Sequence, residues 1–76
     1  MNDVQWNNFS NEFEKALLGE FDDVIANKED LEIILIRARK GSKYIDINLL
    51  RSSLPKTNED FLVESLVKEA VRLLDK

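Results

Sequence analysis

The stretch Leu31–Leu50, LEIILIRARKGSKYIDINLL, limits the choice of fold more than any other part of the chain. It holds the densest apolar run (Ile33, Ile34, Leu35, Ile36) and the densest basic cluster (Arg37, Arg39, Lys40, Lys43), broken at Gly41. Two readings compete for it. In the first, two helices meet at Gly41. Asn27 would accept a hydrogen bond from the amide of Asp30, Glu29 and Asp30 would sit at the positive end of the helix dipole, and Arg37, Arg39 and Lys40 would sit at its negative end. Leu31, Ile34, Leu35 and Ala38 would then share a face, and Gly41 would end the helix, since glycine accepts the left-handed backbone found at many helix stops. In the second reading Lys40-Gly41-Ser42 turns a β-hairpin. Ile45, Ile47 and Leu49 alternate with Asp46 and Asn48, and the β-branched isoleucines favour strands. Ile33 to Ile36 does not alternate, and an isolated two-stranded sheet is marginal. The helical reading is preferred here and the hairpin is kept as its alternative.

The flanking segments read as helices. Asp3 is the expected cap of the first, and Trp6, Phe9, Phe13, Ala16 and Leu17 recur at steps of three and four, the period of one helical face. Gly19 is the expected stop, and Glu20–Ala26 reads as a short helical turn or loop. Beyond Gly41, Ser42 would cap a short helix to about Leu50, with Tyr44, Ile47 and Leu50 on one face. Residues 51–56 form a loop, in which Pro55 biases Leu54 away from helix. Thr57 with Asp60 resembles a capping box. It opens a last helix in which Phe61 or Leu62, then Val63, Leu66, Val67, Ala70, Val71, Leu73 and Leu74, give a broad apolar face. The expected fold is all-α, a compact bundle of about five short helices forming one domain over 1–76. The alternative is α-β-β-α with a central hairpin over 31–50.

Charge is unevenly placed. The net charge is −4. Residues 1–36 carry nine acidic side chains against Lys15 and Lys28, whereas residues 37–56 carry six basic ones against Asp46. This distribution implies an acidic and a basic surface. Arg37, Arg39, Lys40 and Lys43 are the candidate basic contact residues, and Glu20, Asp22 and Asp23 the candidate acidic ones. A nucleic-acid partner is disfavoured, because the surrounding acid repels phosphate. Cysteine and histidine are both absent, which removes disulfides, thiolate metal sites and the commonest general base and metal ligand. The pairs Asp22-Asp23, Glu29-Asp30 and Glu59-Asp60 fall at expected helix starts, where acid is favourable without any catalytic role. Lys40-Gly41-Ser42-Lys43 lacks the upstream spacing of a phosphate loop. No catalytic, cofactor or metal site is therefore expected, and no enzyme. No apolar run reaches the ~18 residues of a membrane span, and MNDVQWNNF lacks the basic-then-apolar order of a signal peptide, so a cytoplasmic location is the expectation. Trp6 and Tyr44 are aromatics with a polar handle, a type frequent at interfaces; for Trp6 a place in the core is preferred.

On the helical reading, ALLGEF at Ala16–Phe21, LEIILIRARKGSKYIDI at Leu31–Ile47 and FLVESLVKEAVRLL at Phe61–Leu74 resemble bacterial effector-associated domains, small death-like helical modules. The positions that match are Leu17, Leu18 and Phe21; Leu31, Ile34 and Leu35; Ile47; and Val63, Leu66, Val67 and Ala70. Asp22 stands where a proline often follows the first-helix Phe. The resemblance implies a non-catalytic adaptor. Such a module would associate with a related domain through acidic and basic patches, with self-association possible, and would recruit an effector in a bacterial defence or cell-death system. From a different class, the hairpin alternative suggests a small α/β regulator or inhibitor, a dimer paired edge to edge or a nucleic-acid accessory.

Overall fold

The computed structural model describes residues 2–54 and 58–75. The chain runs α1 (Asp3–Leu18), β1 (Asp23–Asn27), β2 (Ile33–Lys40), β3 (Lys43–Leu50), a 3-10 turn (Arg51–Ser53) and α2 (Glu59–Leu74). The strands form one antiparallel sheet in the order β1-β2-β3. Both helices share a single apolar core with one side of that sheet, giving a two-layer α-β-β-β-α sandwich. The all-α bundle of about five helices is thereby corrected. Residues 28–40 and 43–50 are not helices but a loop and the paired strands of a hairpin. The segment read as a short helical turn or loop over 20–26 supplies most of the third strand, which neither reading contained. A helical bundle as a description of the domain falls with it.

The first helix forms for the reasons its pattern suggests. Trp6, Phe9, Phe13 and Leu17 are all buried, and the rings of Trp6, Phe9 and Phe13 stack in series at 5.8 and 5.9 Å between centroids. Full burial of each such side chain is worth about 1.5–3 kcal/mol. Ser10, buried in the same stripe, donates its hydroxyl to the Trp6 carbonyl at 2.7 Å. The cap is Asn2 rather than Asp3. The Asn2 side chain accepts from the Gln5 amide, and the Gln5 side chain accepts from the Asn2 amide, a reciprocal box. Asp3 instead accepts from Arg51 at 2.8 Å. The Arg51 amide also donates to the Glu32 carbonyl at 2.9 Å, so this one residue ties the end of β3 to the start of β2 and to α1. Gly19 keeps φ at −74°, and no left-handed stop is used there. The chain leaves the helix with the Phe21 amide donating to the Leu17 carbonyl at 2.8 Å.

Residues 27–32 show why the middle of the chain is a sheet. Asn27 and Asp30 use the chemistry that caps a helix, but they turn a loop with it. The Asn27 side chain accepts from the Glu29 amide, and the Asp30 side chain from the Glu32 amide. Such i to i+2 bonds compete with helix initiation. Beyond them Ile34, Ile36 and Ala38 are buried while Leu35, Arg37 and Arg39 are exposed, the period of two that a strand imposes. Gly41 has a φ of 63°, alone among the described residues in being positive. It is the first of two residues between the facing Lys40 and Lys43, as a type II′ hairpin turn requires. Val24 and Ala26 of β1 and Ile45, Ile47 and Leu49 of β3 complete the core side of the sheet.

The helix α2 is capped by Asn58, whose side chain accepts from the amides of Asp60 and Phe61. The expected cap, Thr57, lies outside the described residues, as does Pro55. Leu62, Val63, Ala70 and Leu74 are buried, whereas Phe61 is 62% exposed. Along the sheet α1 packs on β1 and α2 on β3.

Candidate functional site

Since both helices lie on one side, the other side of the sheet is open to solvent. Alternation sends every second residue to it, and the strand register lines them up in rows. Asp23, Arg39 and Tyr44 form the row nearest the hairpin turn. Ile25, Arg37 and Asp46 form the next, then Asn27, Leu35 and Asn48, and finally Ile33 with Leu50. Four apolar or aromatic residues here are well exposed: Ile25 at 66%, Tyr44 at 59%, Leu50 at 49% and Leu35 at 42%. The face is therefore an apolar strip crossed by two rows of charge.

The charges are arranged to hold the face in shape. The Arg37 Nε and Nη2 donate to the two Asp46 oxygens at 2.8 and 3.2 Å. This two-pronged geometry matches the planar guanidinium to the carboxylate. The guanidinium carbon also lies 4.7 Å from the Tyr44 ring centroid, a distance at which the ring face attracts a cation. The hydrogen bond from Arg37, and then its charge, hold the Asp46 carboxyl below its ordinary value, with desolvation opposing. The same pair raises Arg37 further above its already high value. Arg39 donates to the Gly41 carbonyl at 2.8 Å and stands 3.9 Å from Asp23. Asp22 accepts from the Gly41 amide at 2.7 Å.

The expected contact residues are thus regrouped. Arg37, Arg39 and Asp23 share the open face. Lys40 and Lys43 flank the turn at its end, without an ion pair to any described residue. Asp22 braces that same turn. Only Glu20 lies elsewhere, on a cleft of about 340 Å³ between the helices whose floor is Ala16, Val63 and Val67. Glu12, Asp60 and Glu64 join Glu20 on its rim, and Lys68 pairs with Glu64 at 3.0 Å. Asp22 and Asp23 therefore neighbour the basic cluster instead of forming a separate acidic surface with Glu20. The residues that the sequence reading did not assign to the site are Ile25, Leu35, Asp46 and Leu50. A hairpin centred on Gly41-Ser42 puts Arg37 opposite Asp46 and Arg39 opposite Tyr44, so the turn glycine was the available signal for this set.

Among the described residues no group of three or more Asp or Glu is arranged to hold a metal, and no helix is long and apolar enough to cross a membrane. Comparison with protein-family models, curated proteins and solved structures finds no match to the chain.

Proposed function

We propose that this chain is a non-catalytic interaction module that docks a protein partner on the open face of its sheet. The observation behind this reading is the exposed strip Ile25, Leu35, Tyr44 and Leu50 on a face that no described element covers. Aromatic and arginine side chains are the residues that most often anchor protein interfaces. Tyr44 and Arg37 are held against each other before any partner arrives, so less side-chain freedom is lost on binding. Lys40 and Lys43, which make no ion pair among the described residues, add positive charge with Arg39 at one end of the strip. The fitting partner therefore presents apolar side chains next to carboxylates. Nucleic acid fits less well, since Arg37 and Arg39 already face Asp46 and Asp23 and the chain is negative overall.

The test is selection of peptides from a random library on the immobilised full chain, followed by NMR shift mapping with the 15N-labelled protein. Peptides combining apolar and acidic residues, with shifts confined to Ile25, Leu35, Arg39, Tyr44 and their neighbours, are expected. Recovery of basic peptides that instead shift Glu12, Ala16 and Glu64 would move the function to the helical cleft and overturn this reading.

A further inference from the structure

The strand order leaves β1 and β3 as the two edges of the sheet, and they differ in kind. The edge at β1 is five residues long. Asp22 and Asp23 stand at one end, and at the other Lys28 is drawn to α1 through Glu14 and Asn11. The edge at β3 is eight residues long, and it carries no proline and no mid-strand lysine. Its central charge, Asp46, is already bonded to Arg37. A long edge of this kind presents a row of unpaired backbone donors and acceptors, which natural sheets usually blunt. Apolar side chains also border it on both sides. Tyr44 and Leu50 are exposed on the open face, and Ile45 and Ile47 point to the core yet are only half-buried.

We propose that β3 pairs with β3 of a second copy of this chain, antiparallel across a twofold axis at Ile47, joining two sheets into one of six strands. This surface runs along the strand edge and shares Tyr44 and Leu50 with the open face; the α2 flank at Leu73 belongs to it alone, so Leu73→Glu separates the two readings. The register follows from side-chain chemistry. Residues that face each other across antiparallel strands lie on the same side of the sheet. A twofold axis at Asp46 sets two carboxylates opposite each other, which is destabilising. An axis at Asn48 sets Asp46 against Leu50 and pushes Ile45 past the strand end. With the axis at Ile47, Ile47 meets Ile47, Ile45 meets Leu49, Tyr44 meets Leu50 and Asp46 meets Asn48. Apolar faces apolar on both sides of the sheet, and the two Asp46 carboxylates are separated; Lys43 falls opposite Arg51, just past the strand end, where Arg51 is held by Asp3.

The helix above this edge carries a matching surface. On α2, the residues Asp60, Val63, Glu64 and Val67 line the cleft with α1. At 100° per residue, Leu66 and Leu73 fall on the opposite flank. As α1 packs on β1 and α2 on β3, that flank overhangs the β3 edge. Leu73 is 47% exposed and Leu66 half-buried. The paired strand edges run about 23 Å over seven residues. The two α2 flanks, brought together by the same axis, add apolar surface to that contact. The contact is self-complementary and closed, as a twofold interface requires.

The chain has no cysteine, so introduced cysteines report without background. The full chain is expected to run at twice its 8.8 kDa mass in light scattering, and Leu73→Glu is expected to weaken the dimer at least about tenfold with an unchanged circular dichroism spectrum. Under mild oxidation Ile47→Cys should cross-link to itself. Should that half-buried substitution unfold the chain, the exposed pair decides. Asp46→Cys and Asn48→Cys should cross-link poorly alone and readily when mixed. A monomer at all concentrations, or self-cross-linking of Asp46→Cys as strong as that of the mixture, overturns the proposal. Retention of outer-face peptides by Leu73→Glu keeps the two surfaces distinct.

Discussion

Replacing Phe13 with Ala tests whether the aromatic stack of α1 is the centre of the core. Phe13 is fully buried, and its ring lies 5.9 Å from that of Phe9. A buried aromatic side chain removes roughly 150–250 Å² from water, at about 25 cal/mol per Å². With the part that alanine keeps and the cavity left behind, the loss is about 3–5 kcal/mol. At ~0.05–0.15 kcal/mol per residue, a chain of this length has on the order of 4–11 kcal/mol in total. The substitution therefore removes between about a quarter and all of it. Urea unfolding followed by far-ultraviolet circular dichroism and by fluorescence of Trp6, the single tryptophan, measures this directly. The midpoint should fall sharply with little change in the denaturant slope. Phe61→Ala is the control. Phe61 is 62% exposed, and its loss should cost within about 0.5 kcal/mol. A cost below ~1 kcal/mol for Phe13→Ala, or equal costs for the two, would refute this picture of the core.

Two further substitutions probe the sheet. Gly41→Ala places a side chain at a φ of 63° with no neighbouring atom within 4 Å, so the cost is backbone strain alone, about 1–2 kcal/mol; an unchanged thermal midpoint would contradict the turn. The Asp46 carboxyl should titrate below its ordinary value of 3.8 when followed by its carboxyl 13C shift, and should return towards that value in Arg37→Gln. Because folding lowers this value, the associated stabilisation is present above the unfolded-state pKa and is lost as pH falls through the folded one. Equal midpoints in the two proteins would show that the Arg37–Asp46 pair does not persist in solution.

The outer elements were legible from periodicity because their apolar faces repeat at three and four. The middle was not, for three physical reasons. Asn27 and Asp30 offer side-chain acceptors that cap a helix or turn a loop equally well, and nothing nearby discriminates. The strand β2 is apolar on both sides, because Ile33 and Leu35 sit on the open face, so its alternation is masked. The strand β1 has only Val24 and Ala26 pointing inward, too little for a period of two to stand out. The site was half legible for the same reason. Arg37 and Arg39 were picked out by charge, but on a helix they point about 160° apart. Only a strand sets them side by side, and only the register of the Gly41 turn brings Asp46 and Tyr44 to them.

The most direct test of the open face as a docking surface is the dissociation constant of one selected apolar, acidic peptide for three proteins: the native chain, Tyr44→Ala and Glu20→Gln. Tyr44→Ala should weaken binding at least about tenfold, as loss of an interface anchor does, while Glu20→Gln, at the helical cleft, should bind as the native chain does. Undiminished binding by Tyr44→Ala, with the loss falling on Glu20→Gln, would contradict it.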